Sequence, residues 1–395
     1  MTAAPARAKS LPGLPLRCAL AGLAAWAGCG SVRATEWVAQ PGIWWYLDYD
    51  TNRRLSPSNE IGDASASMTL DLLLRRLTET GELAMHPQVV LQRFTRETAL
   101  DSNNGSLQLS ASHREEVWSV GANATASRLS TLITELSSTG IIDASTRQNL
   151  VSGGLSASRS LYADQSLSAT ASYSEITYPD GRAAGLVGYH YLPASVSYGY
   201  VYSERTVLSL IAFGSDVLSE SGLSSKSAGM SLQWRHALTH LITMTASAGA
   251  TRNRVGSESS TGSVWSLALV HATYRGGNWS ISVARDVEPN GFGLLLGHEE
   301  ADLSLLRPVA PHLFITLAGQ AVRNDNLITG ATLGDRSYFT GKGGLEWRAR
   351  KEWLVDFSVG YRQANFEQQT PASFARGWQG AVTLRWAPLP STVSR

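Results

Sequence analysis

The chain has 395 residues, of which only 16% are charged, with 36 Gly, a heavy load of Ser, Thr and Ala, and a formal charge of +1. That balance argues against a nucleic-acid partner, and the composition is poor for a helical or α/β enzyme built on long Leu-, Glu- and Lys-rich helices. No apolar run reaches the roughly twenty residues of a spanning helix, so a membrane protein with this sequence has one option left, a closed β-barrel that pairs every backbone group.

In chain order, residues 1–34 read as a secretory signal peptide. Arg7, Lys9 and Arg17 precede the short apolar stretch Cys18–Ala27, and Val32-Arg33-Ala34 offers a small-residue cleavage site. A second site of the lipoprotein kind, Trp26-Ala27-Gly28-Cys29, stays open beside it. Cleavage after Ala34 removes both cysteines and leaves 29 basic against 32 acidic residues, a net charge of −3.

Residues 35–41 are expected as a periplasmic N-terminal segment, 42–386 as the barrel, and 387–395 as a periplasmic C-terminal tail. The first strand is read near Gly42–Asp50, with an outer loop to Ile61, and strands near Ala64–Arg76 and Glu82–Arg96 flank a turn at Thr80-Gly81. Further on, tight turns at 162–164, 203–205, 237–240, 275–278, 307–311 and 350–352 alternate with longer loops at 216–226, 253–262, 287–298, 324–336 and 365–376. Between them the period is two. Met230, Leu232 and Trp234 alternate with Gly229, Ser231, Gln233 and Arg235, and Val355, Phe357 and Val359 with Asp356, Ser358 and Gly360. A sandwich alternates in the same way; strictly short and long connections instead predict an up-and-down antiparallel transmembrane barrel of about eighteen strands in the bacterial outer membrane. Trp118, Tyr162, Tyr202, Trp234, Tyr274, Trp279, Trp347, Trp353 and Trp386 gather beside the short turns, as an interfacial girdle should.

Loop 129–148 stands apart. Ser130–Leu136 has helical spacing behind a Ser or Thr cap, which makes Leu132, Ile133, Glu135 and Leu136 the constriction-loop candidates. An amphipathic stripe has no direction, so the loop either enters the lumen or lies on the rim.

The segment Tyr49-Asp50-Thr51-Asn52-Arg53-Arg54-Leu55, together with residues 131–143 and 155–178, resembles the outer-membrane β-barrel family associated with PEP-CTERM/exosortase exopolysaccharide systems. The resemblance implies a link to exopolysaccharide export or surface assembly and carries no catalytic residues.

The eight histidines show no metal-ligand spacing, with His236 and His240 straddling a turn. No nucleophile elbow or phosphate loop is present, and residues 291–297 lack the strand–helix context of a dinucleotide fingerprint. No catalytic, cofactor or metal residue is therefore named. Asp71, Arg75, Arg235, Asp356, Arg362 and Arg385 fall on the polar phase of their strands and are the pore-lining candidates, unless they pair across strands to stabilise a filled lumen. The expected function is a passive channel for polar or saccharide solutes rather than an enzyme. Its partners are outer-membrane lipids, the barrel-assembly machinery and the solute itself. A non-conducting structural or surface-assembly barrel is the alternative, and an enzyme with a site on the barrel rim a second.

Overall fold

The computed structural model describes residues 35–394, apart from 137, 140–145, 180, 274–275, 328–335 and 367–372. The expected signal peptide, and Tyr274 of the expected girdle, lie outside the described residues. The strands are β1 (Glu36–Asp50), β2 (Asp63–Leu77), β3 (Gly81–Phe94), β4 (Ser102–Arg114), β5 (Trp118–Ser130), β6 (Arg147–Tyr162) and β7 (Gln165–Thr177). They continue as β8 (Tyr189–Ser203), β9 (Thr206–Ser219), β10 (Ser224–Ala237), β11 (Ile242–Val255), β12 (Glu258–Ala272) and β13 (Asn278–Pro289). The last are β14 (Leu295–Ala310), β15 (Leu313–Asn326), β16 (Arg336–Arg348), β17 (Trp353–Phe366), β18 (Ser373–Trp386) and the short β19 (Ser391–Ser394).

From β1 to β18 each strand pairs antiparallel with its neighbours in sequence, and β1 closes the ring by pairing with β18, from Ile43 opposite Trp386 to Asp50 opposite Gln379. The wall is thus an 18-stranded barrel whose last strand is interrupted at 387–390 and resumes as β19, against Glu36–Ala39 of β1. Residues 36–41 and 391–394, expected as flanking segments, are strand. Prolines disguised them. Pro41 lies opposite the interruption, which itself holds Pro388 and Pro390, so residues without an N–H face one another where the ladder is broken.

The two phases of each strand separate as the alternation demands. Leu232, Phe357 and Val359 are 57%, 52% and 61% exposed on the outer wall, while Ser358 and Arg362 beside them are buried on the lumen side. At the short-turn end Trp234 and Trp279 stack on His236 and His271 at 5.4 Å, and Trp118 lies tilted against His113 at 5.2 Å, which gives three histidines an interfacial place beside the girdle. A second aromatic group, Phe339, Tyr361 and Trp378, marks the opposite edge of the band, with centroids 6.4 and 5.0 Å apart.

The strict short–long alternation of connections does not hold. β9 and β10 are joined by 220–223, and β11 and β12 by 256–257 alone, with Gly256 at φ +59°. Residues around Asn253 read as loop because they are polar, but polarity there marks where water replaces lipid, and the ladder runs on past that level. Among the described residues no helix is long and apolar enough to cross a membrane. An apolar outer wall, a closed ladder and aromatic belts at both edges make the chain an outer-membrane β-barrel.

Two outcomes follow from this wall. Detergent-solubilised protein should migrate faster unheated than boiled in SDS gels, because a closed ladder resists SDS; identical migration would exclude the ring. Leu232→Arg should cost about 2–4 kcal/mol in urea unfolding from lipid vesicles, while Ser231→Arg on the lumen side should cost far less.

Candidate functional site

The long-loop end of the lumen is narrowed by loops that fold inward. The first follows β1. Asp50 is fully buried, its Oδ1 accepting from the Asn52 N–H at 2.9 Å, and its other oxygen is paired with Arg362 of β17. Asn52 spends its whole side chain on the backbone: Nδ2 donates to Ser56 O at 2.9 Å and Arg376 O at 3.1 Å, and Oδ1 accepts from Ser56 N at 3.0 Å. Arg53 turns back to Asp48 at 2.6 Å and donates to Asp63 O at 3.1 Å. These contacts drive Leu55, at φ +48°, into a cluster with Val322, Tyr338, Ala364 and Ala375 of β15–β18.

The loop after β5 reaches the same cluster from the other side. It holds one helical turn, α1 (Thr131–Thr134), rather than a helix over Ser130–Leu136, and Ser130 makes no side-chain cap. What fixes it is Glu135, 1% exposed. Its carboxylate accepts from Tyr178 at 2.6 Å, Thr139 at 2.7 Å, Ser138 at 2.8 Å and Gln148 at 3.3 Å. Burial first, and then Glu135, push the Tyr178 phenol well above its ordinary value, so it remains a donor. Beyond Glu135, Leu136 packs on the Leu55 cluster; Arg336 of β16 donates to Leu136 O at 2.7 Å, and Asn324 of β15 to Ser138 O at 3.1 Å. In a ring of eighteen, β15 lies eight strands from β5 by the shorter way, so this loop crosses the mouth. Of the expected apolar stripe only Leu136 enters that cluster; Leu132 is half-buried and Ile133 is 51% exposed.

A third crossing joins the loop after β7 to the loop after β13. Val187 N donates to Gly291 O at 2.9 Å, and Leu186 is buried with Ile176, Tyr178, Tyr189, Val217 and Leu295.

Below these loops the wall has two characters. From β5 to β14 it carries cross-strand hydroxyl pairs at 2.7–2.8 Å: Ser119–Ser158, Thr170–Ser195, Ser227–Thr251, Ser247–Ser266 and Ser280–Ser304. Each lies on the phase opposite the exposed apolar side chains of its strand. The sector from β13 round to β3 is charged. Asp286, Glu288, Glu300 and Asp302 share the lumen phase of β13 and β14 with His298.

The six pore-lining candidates do not form one group. Asp71 meets His86 at 2.5 Å, and Arg75 meets Glu82 at 2.6 Å. Asp356 lies 3.9 Å from Lys342, and Arg385 stacks over Trp44 at 4.8 Å. Arg235 is exposed and has no ion-pair partner among the described residues. Arg362 is buried and committed to Asp50, which withdraws it from the lumen's water. The residues the sequence reading passed over, Asp48, Asp50, Arg53, Tyr178, Asn324 and Arg336, are the ones that fold the mouth. Among the described residues no group of His, Cys, Asp or Glu could hold a metal.

No family model matches the chain, and no curated protein does. Among solved structures it is similar to Pseudomonas aeruginosa OpdL, at 12% identity over 91% of this chain and 99% of that one, with a TM-score of 0.45. It is also similar to OccK5 (OpdH) of the same organism, at 12% identity over 89% and 98%, TM-score 0.46. The siderophore receptor PirA of Pseudomonas aeruginosa gives 10% identity over 89% and 80%, TM-score 0.42. Likeness of this degree says nothing about substrate.

The mouth gives a sharp stability test. Arg362→Ala leaves the Asp50 carboxylate buried without its counter-charge and should cost about 3–5 kcal/mol, read by urea unfolding. Changing both partners, with Asp50→Asn and Arg362→Met together, should recover most of that loss.

Proposed function

We propose that this barrel is a passive channel for uncharged polar solutes of the saccharide class, with flux controlled by the loop after β5. The observation that carries the reading is the hydroxyl-paired sector of the lumen. Over β5–β12 this wall of Ser and Thr offers donors and acceptors with few fixed charges to trap or repel an ion, the lumen carboxylates gathering instead on β13 and β14. A sugar can exchange water for such a wall in small, nearly equal steps, as permeation requires. The charged sector opposite orients the solute's dipoles, and the crossing loops set the size limit.

The link to exopolysaccharide export belongs to the same proposal. The segments that carry the family resemblance, 49–55, 131–143 and 155–178, contribute Leu55, Glu135, Leu136 and Tyr178, which meet at the mouth. A second reading, a non-conducting structural barrel, has its own support in the buried ion pairs that hold the mouth loops.

Conductance in planar bilayers and swelling of proteoliposomes in graded sugars separate the two. Wild-type protein should admit small sugars, and replacing 131–139 with a Gly/Ser linker should raise conductance and admit larger ones, with the barrel still assembled. A correctly assembled linker variant that neither conducts nor swells would leave only the structural reading.

A further inference from the structure

The outer wall is not uniform. Across β4–β9 it is hollowed into a groove of about 730 Å³ lined almost wholly by apolar atoms. The hollow exists because short side chains stand in line from strand to strand on either side of Leu155. Ala122 is opposite Leu155, Leu155 opposite Ala171, Ala171 opposite Ala194, and Ala194 opposite Gly214. All of them share the lipid-facing phase with Val196, 50% exposed, and Leu155 within the line is 66% exposed. Because the line crosses the strands at right angles and barrel strands are tilted by about 35–45°, it climbs the wall. It starts four residues from the short-turn end of β5 and arrives at Ala228, four residues from the long-loop end of β10.

At its upper end stand three cations. Ala228 is opposite Arg252, and one step further out on the same face Lys226 is opposite Arg254. All three are exposed, and the buried Thr251 and Asn253 between them fix the outward phase. One carboxylate answers them: Asp216 meets Lys226 at 2.9 Å. Arg254 donates to Gly256 O at 3.2 Å, and Arg252 has no ion-pair partner among the described residues. Like charges facing each other across a ladder are destabilising, and three cations against one carboxylate leave a surplus positive charge that an anion would offset. Its height matches a headgroup. Lys226 lies eight residues from the girdle residue Trp234, which at ~3.4 Å per residue and a tilt of ~40° is roughly 20 Å, close to the apolar band of about 25 Å.

We propose that this face binds one phosphorylated membrane lipid, its phosphate held by Lys226, Arg252 and Arg254 and an acyl chain laid in the groove from Gly214 toward Ala122. The planar guanidinium of an arginine meets phosphate with two parallel N–H donors, which neutral headgroups cannot repay. The small residues give the chain a bed where bulky side chains elsewhere on the wall would hold it off. The site lies outside the lumen and does not depend on what the barrel conducts.

The test uses native mass spectrometry of the whole protein in neutral detergent, titrated with dioleoyl phosphatidate, with dioleoylglycerol and with inorganic phosphate. Wild type should retain one phosphatidate at least about tenfold more tightly than dioleoylglycerol, and inorganic phosphate should not be retained. The variant Lys226→Gln/Arg252→Gln/Arg254→Gln should lose that preference through the headgroup, and Ala171→Phe/Ala194→Phe should weaken retention of both lipids through the chain. Both variants should keep the unheated gel mobility of a folded barrel. Equal retention of phosphatidate by wild type and both variants would overturn the proposal, as would retention of inorganic phosphate alone. A dimer that the phenylalanines abolish and phosphatidate leaves untouched would assign the face to a second copy instead.

Discussion

Hydrocarbon offers no partner to an N–H or a C=O, so an 18-stranded sheet can stand in a bilayer only if its first strand finds its last. Every other feature of this molecule depends on the seam between β1 and β18. Closure makes each strand two-faced, one phase for lipid and one for water, and so divides Phe357 from Ser358 and Arg252 from Thr251. It also brings residues hundreds of positions apart to one rim. The interrupted stretch between β18 and β19 shows how far the demand bends. At the seam the ladder fails opposite Pro41, near the aromatic belt at the short-turn end, where water can serve the groups left over.

The mouth is an outcome of that closure and is built differently from the wall. The wall is stabilised by repetition, one backbone pair after another. The mouth depends on a few saturated polar side chains, each with a large penalty for going unpaired in a dry setting: Glu135 with four donors, Asn52 with backbone on every side, Asp50 against Arg362. Apolar contact does the remaining work, since Leu55 and Leu136 arrive from opposite sides and bury one another's patch of wall. Such a lid is stiff in position yet small in total stabilisation. Its loss should leave the strand ladder assembled.

How much of this the sequence shows depends on the range of each cause. Alternation is local, so the phases around Leu232 and Phe357, the order of strands and the girdle at Trp118, Trp234 and Trp279 are legible from a few neighbouring residues. Strand ends are less so. Around Asn253 and Lys226 a polar strand above the lipid looks like a loop, and Pro41 looks like an end while lying inside β1. Glu135 is visible as part of an unusual loop, but nothing near it announces Tyr178, 43 residues on, or Arg336, 200 residues beyond Leu136. Those partners are set by how many strands close the ring and by register summed around it. For the same reason Arg362 reads as a pore charge and is a lid residue.

The seam also dictates an order of events. Asp50 and Asn52 belong to the first strand and the loop after it, whereas Arg362 and Arg376 belong to the last two long strands, 312 and 324 residues away in the chain. Their bonds straddle the closing edge, so the first loop cannot seat itself while that edge is open. Leu136, which needs Leu55 and the late strands as its floor, must wait as well. The part of the mouth built on Leu55 is therefore seated only after the edges meet. A half-inserted barrel with a parted seam lacks the part of the lid built on Leu55.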